Sequence, residues 1–247
     1  MNVKKDLKKL LNLTHLDYTN LTAKCGILDM PYLKCTEIPI IDYMANYGQP
    51  AQYFYSANTC VTFFEYDNTF DGINGLWNAI YYKIENRLKF YKNRFRGVRY
   101  FVAPDYSKCG DVPEIENLYR QYKSRIVSIW LTMHLHAIVI PLVSCANKTG
   151  MEYMLDGMED CSAVAFNAKG PLGNPSQLKI FIESIKYTVD HLQNLKTIFV
   201  YSSSPNKNKI LEIFEYAIKK GIEIQIPNNK LQMRNLLKGG VVCGRNK

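Results

Sequence analysis

Apolar, β-branched runs recur along the chain between residues 60 and 229. Each closes on a polar or acidic residue and is followed by a stretch with helical spacing. The runs are CVTFFEYD (60–67), GVRYFVAPDYS (97–107), LHAIVIPLVS (135–144), SAVAFNAKG (162–170), TIFVYSSS (197–204) and IEIQIPNN (222–229). Short apolar runs bounded by turn residues read as buried strands. Between and after them, helices are predicted over about 70–95, 113–133, 177–195, 206–220 and 231–237. In the first, Trp77, Ile80, Tyr81, Ile84, Leu88 and Tyr91 fall on one face. Pro113 suits the first turn of the second, with Asp111 as its cap; Pro175-Ser176 opens the third and Gly221 closes the fourth.

Strand alternating with helix predicts an α/β fold with a mostly parallel sheet. Two closures fit the rhythm: an irregular (β/α) barrel-like arrangement or, alternatively, an open doubly wound sheet. Residues 1–59 do not keep the beat and read as an irregular N-terminal extension or cap. Residues 60–247 read as the α/β domain, the two parts making one structural unit. Within the extension Leu7, Leu10, Leu11 and Leu13 mark a short amphipathic helix.

Ligands of such folds bind at the carboxyl ends of the strands. The residues that close the runs, Asp67, Asp105, Ser144, Asn167, Ser202 and Asn228, are therefore the first candidates for a site. If the strands of Asp67 and Asp105 lie side by side, their carboxylates flank one crevice. Paired carboxylates there bind a divalent metal or divide acid and nucleophile roles. A strand-end Asp equally caps the next helix, and Asp67, just before Asn68-Thr69, fits that duty better than Asp105 does.

Tyr122 and Arg125 lie one helical turn apart and read either as packing residues of the helix or as part of a site, with Arg125 pairing with Asp105 or holding a phosphate. Asn167 and Gly170 suggest a tight backbone that approaches a ligand, with a plain loop as the alternative. Tyr201-Ser202 precede Asn206, where a loop and a helix start cradle an anion or simply form a cap. His134-Leu135-His136 would aim two imidazoles the same way on a strand. It opens its run instead of closing it, so it reads as a helix-end pair.

Composition narrows these readings. No apolar run approaches the ~20 residues of a membrane helix. Seven cysteines, with no two at CxxC spacing, imply reduced thiols and a cytoplasmic protein, and indicate no particular cofactor. Neither a GxGxxG turn nor a GxxxxGK[ST] loop is present. The net charge is +9, with seven Lys or Arg against one Glu over 81–100 and nine against three from residue 205 onward. Such clustering suits a polyanion such as nucleic acid, or a solvated face in a Lys-rich protein.

In order, FFEYDNTF…LWN, APDYS, YRQYKSR, VIPLV, LDGM, AFNAKG and VYSSS resemble the bacterial and phage family catalogued as domain of unknown function 4417, over residues 62–204. The matching positions are Asp67, Trp77, Asn78, Asp105, Ser107, Tyr122, Ser124, Arg125, Asp156, Gly157 and Tyr201. Tyr106, Ser144, Met158 and Ser202 depart from the family pattern. The resemblance implies an α/β fold and occurrence on phages and mobile elements, and brings no established activity.

The residues together lead to an expectation: a protein acting on nucleic acid or a nucleotide, as a hydrolase with a strand-end carboxylate site. Asp105 would be the catalytic carboxylate with Asp67 assisting, and Arg125, Tyr122, Ser107, Asn167, Tyr201 and Ser202 would bind substrate. The alternatives are a non-catalytic binder of nucleic acid or a nucleotide signal, and a phage protein that binds a host protein.

Overall fold

The computed structural model describes Gly26 and residues 28–243, with side chains through Leu237. The amphipathic helix expected at Leu7–Leu13 lies outside the described residues. All six expected runs contribute strands, and residues 1–59 add one more. β1 (Tyr43–Asn46), β2 (Thr59–Thr62), β3 (Tyr100–Val102) and β4 (Ile138–Ile140) form one parallel sheet in that order. β5 (Ala163–Asn167), β6 (Thr197–Tyr201) and β7 (Glu223–Gln225) form a second, also parallel and in sequence order.

Neither sheet reverses its strand order, so the doubly wound alternative does not form: that topology needs a switch point. Single bridges join the sheets at both seams. Leu142 pairs with Ala165, where Val143 N–H donates to the Ala165 carbonyl at 2.9 Å; Tyr43 pairs with Asn228, where Met44 N–H donates to the Asn228 carbonyl at 2.8 Å. The ladders stop there and do not close into a barrel. Pro141 and Pro227 sit at the two seams and have no N–H to extend pairing.

Alternation along the strands divides the interior. Tyr43, Ala45, Val61, Phe101 and Val139 join one cluster with Phe63, Phe95, Trp77 and Trp130. Met44, Cys60, Val102 and Ile140 face the other way and join the cluster built on β5 and β6, with Phe166, Phe199 and Phe214. Each large apolar side chain so buried contributes about 1.5–3 kcal/mol.

The helices follow the expected places with breaks. The single helix expected over 70–95 is three pieces: α1 (Asp67–Phe70), α2 (Leu76–Tyr81) and α3 (Glu85–Arg94). Gly72 and Lys83, both at positive φ (93° and 49°), interrupt it, and the apolar face that includes Trp77, Ile80 and Tyr91 is buried regardless. α4 (Glu114–Leu135) starts after Pro113 without a side-chain cap, so Asp111 does not cap it. It ends at His136 in the left-handed conformation, which puts the His134–His136 pair at a helix end.

α5 (Lys148–Met151) is a single turn. α6 (Pro175–His191) is capped by Asn174, which accepts from Ser176 N–H at 3.0 Å. The helix expected over 206–220 breaks at Phe214, whose ring is buried in the core, into α7 (Lys207–Ile213) and α8 (Glu215–Lys219). α9 (Lys230–Cys243) follows β7. Among the described residues no helix is long and apolar enough to cross a membrane.

Candidate functional site

The segment that follows β3 is held at nearly every residue, and α4 does most of the holding. Ser124 Oγ donates to the Pro104 carbonyl at 2.7 Å. The Tyr106 ring is buried against Phe70, with Lys123 Nζ 4.3 Å from its centroid. Arg120 donates to the Ser107 carbonyl. The Asn117 side chain bonds both the N–H and the carbonyl of Cys109, at 3.0 and 2.9 Å. With Tyr106 turned inward, its neighbours Asp105 and Ser107 are left at the carboxyl ends of the strands.

There, two carboxylates and an amide converge. Asn167, the last residue of β5, donates through Nδ2 to Asp105 Oδ2 at 2.9 Å. Asp67 opens α1 and accepts from Ser107 N–H at 3.1 Å and Ser107 Oγ at 2.8 Å; Arg120 Nη1 stands 4.0 Å from its other oxygen. Asp67 is thus a brace for the Asp105–Ser107 turn as well as a neighbouring negative charge. Burial raises the Asp105 carboxyl above its ordinary value, the Asn167 amide and the Lys108 charge lower it, and Asp67 adds to the rise. Asp105 Oδ1 makes no hydrogen bond among the described residues.

Asp105, Ser107, Asn167 and Gly170 are shared by two cavities, of about 450 and 610 Å³. Both volumes lie in the usual range of small-molecule sites. Lys108 lines the smaller one. Its Nζ donates to the Ser144 carbonyl at 2.6 Å and Gln121 Oε1 at 3.0 Å, which leaves one of three N–H bonds without an acceptor among the described residues. Burial pushes this ammonium down to about 8, against the raising effect of Asp105 and Glu114. A carboxyl shifted up beside a lysine shifted down is the pairing that acid–base chemistry near neutrality requires. Among the described residues no group of three or more His, Cys, Asp or Glu is arranged to hold a metal ion.

Of the residues singled out in the sequence, Asp105, Asp67, Ser107 and Asn167 come together. Tyr201 ends β6 beneath them, buried; its hydroxyl accepts from Asn46 Nδ2 at 3.1 Å, and Asn46 Oδ1 accepts from Thr62 Oγ1 at 2.7 Å. Its ring lies 4.8 Å from Phe64, so Tyr201 supports Asn46 and Phe64, which do line the larger cavity. Ser202 is buried and turned to its own loop: Oγ accepts from Ser204 N–H at 3.0 Å, and its carbonyl accepts from Asn229 at 2.9 Å.

Arg125 does not pair with Asp105. It is buried and donates to the Asp156 carbonyl at 3.1 Å, while Gly157 lies at φ 75° with Met30 and Pro31 carbonyls against it. Tyr122 packs edge-on against Trp77, with ring centroids 6.0 Å apart. Both lie outside the two cavities. Lys108 carried no signal in the sequence, where a single lysine after a strand end reads as solvated. The basic stretch is elsewhere too: Arg94 donates to the Tyr47 carbonyl at 2.6 Å, and Arg99 precedes β3 at the end opposite Asp105.

The family model described as Domain of unknown function (DUF4417) matches residues 23–217, in keeping with the resemblance carried by the motifs. No curated protein and no solved structure matches the chain.

Proposed function

Because the chain belongs to the DUF4417 family, whose description carries no activity, we propose from the geometry that it is a hydrolase of a nucleotide or nucleotide-containing substrate. The reaction takes place in the crevice around Asp105, and the setting is the phage or mobile-element biology that the resemblance implies. The observation that carries this reading is the state of Asp105, a residue shared by two cavities: one oxygen is fixed by Asn167, and the other makes no hydrogen bond among the described residues. A carboxyl held that way is positioned to take a proton from a water molecule. Asn167 keeps it in one orientation, and Ser107, tied to Asp67, keeps the turn in place. Lys108 supplies the positive charge that an anionic substrate group needs on a partly desolvated wall. Tyr66 and Gln49 offer a flat surface and an amide in the larger cavity.

The basic residues near the amino end of β3 do not reach this crevice, which favours a small anionic substrate in the crevice over a long nucleic acid tracked through it. The test is a turnover screen with nucleosides, nucleotides and short oligonucleotides, run on the wild type and Asp105→Asn. Turnover in the wild type, with binding kept and turnover lost in Asp105→Asn, is expected. Equal turnover in both would overturn the assignment of Asp105; binding without turnover in the wild type would make the protein a nucleotide binder, and neither binding nor turnover would point to the host-protein alternative.

A further inference from the structure

The two cavities on either side of Asp105 and Asn167 differ in chemistry. The larger is walled by Tyr66, Phe64, Gln49 and Lys169. The Tyr66 side chain is 86% exposed and makes no ring contact among the described residues, so its face is open to a planar partner. Stacking on an aromatic face is how proteins hold bases without needing a charge. The smaller cavity carries Lys108 with one uncommitted N–H, beside Ser144 and Gln177, over Ile180 and Phe181. A lysine on such a wall attracts an anionic group. Among the described residues it is the one Lys or Arg lining that cavity, and Asp111 lines it as well, which suits a single phosphate and disfavours a polyphosphate or a polynucleotide.

Resting on the hydrolase reading above, we propose that the substrate is a nucleoside monophosphate lying across the Asp105–Asn167 pair, its base against Tyr66 and its phosphate at Lys108. The sugar then lies at Asp105, and the bond broken is the one between sugar and base. A water oxygen bonds to the anomeric carbon as the carbon–nitrogen bond breaks, and the electron pair of that bond goes to the base nitrogen. Asp105 Oδ1 takes the proton from the attacking water and returns it to the departing base nitrogen. The products are the free base and the sugar phosphate, with the protein unchanged.

Calorimetry on the full chain, with adenine and ribose 5-phosphate as separate probes, tests this. The wild type is expected to bind both at once. Tyr66→Ala should weaken adenine by about tenfold and leave ribose 5-phosphate unchanged; Lys108→Gln should do the reverse. The wild-type measurement stands whether or not the Lys108 variant folds: probes that displace one another would overturn the two-ended arrangement. Product analysis separates this inference from the reading beneath it. Release of inorganic phosphate from a nucleotide, abolished in Asp105→Asn, would refute the sugar–base assignment while leaving the hydrolase; turnover unaffected by Asp105→Asn would remove both.

Discussion

The side-chain amide of Asn167 donates to Asp105 Oδ2 at 2.9 Å across 62 residues of sequence, from the end of one parallel sheet to the end of the other. At this seam the sheets meet at a single bridge between Leu142 and Ala165, so this contact ties them again at the edge where the cavities open. It also stabilises the ionised form of a carboxyl that burial pushes toward the neutral one.

Removing the amide should therefore move the carboxyl further up. In Asn167→Ala the acidic limb of the kcat/KM profile is expected at higher pH than in the wild type, with kcat lower by about tenfold. A limb that moves down, or does not move, would detach Asp105 from the rate.

Asp105 should weaken the fold it serves. Its folded-state carboxyl is raised above the ordinary value, so the native state holds its proton more tightly than the unfolded chain does. This contribution is present below the unfolded value and is lost as pH rises through the folded one. At pH 7 Asp105→Asn should melt at a higher temperature than the wild type, and the difference should vanish near pH 3. Activity should fall by about 100-fold or more. Thermal melts across pH, alongside the turnover assay, check both halves.

Lys108 sets the alkaline side. With its ammonium lowered to about 8, the charge needed for an anionic substrate disappears as pH rises past that value. The wild-type kcat/KM should fall above about pH 8, and Lys108→Arg should carry the limb out of the accessible range, since guanidinium stays charged. An alkaline limb retained in Lys108→Arg would assign it to another group.

Arg125 and Tyr201 provide the contrast, because the structure gives both supporting work. Arg125→Ala removes a buried donor to the Asp156 carbonyl and should cost about 2–4 kcal/mol of stability. Tyr201→Phe strands Asn46 Nδ2 and should cost about 1–2 kcal/mol. In the fraction that remains folded, KM should stay within about twofold of wild type, well inside the change expected from losing a charged contact. Urea denaturation and steady-state kinetics at low temperature separate the two effects; a large KM rise in Arg125→Ala would restore it as a phosphate ligand.

The run-and-stop rhythm made Asp105 and Asn167 legible, because a buried strand must be apolar and its first polar residue marks where it leaves the core. The same logic overextended the strands. β2 ends at Thr62, and Asp67, expected to close a strand, opens α1. The sequence leaves packing, a pair with Asp105 and a phosphate all open for Arg125. Its partner is the Asp156 carbonyl, a backbone group that every residue possesses, so no side-chain pattern announces it.

Local alternation and composition were enough to specify the α/β class and the polar residues along the carboxyl edge of the strands, since periodicity of two and of 3.6 is a property of neighbouring residues, and they left the order of the strands open. Which polar groups share that edge was decided by the folded chain. Lys108 lines a cavity with Asp105 only in the folded chain, where Gln121 on α4 and the Ser144 carbonyl beyond β4 arrive around its ammonium. Desolvation and charge proximity depend on distances through space, and residues far apart along a chain carry no local mark of them.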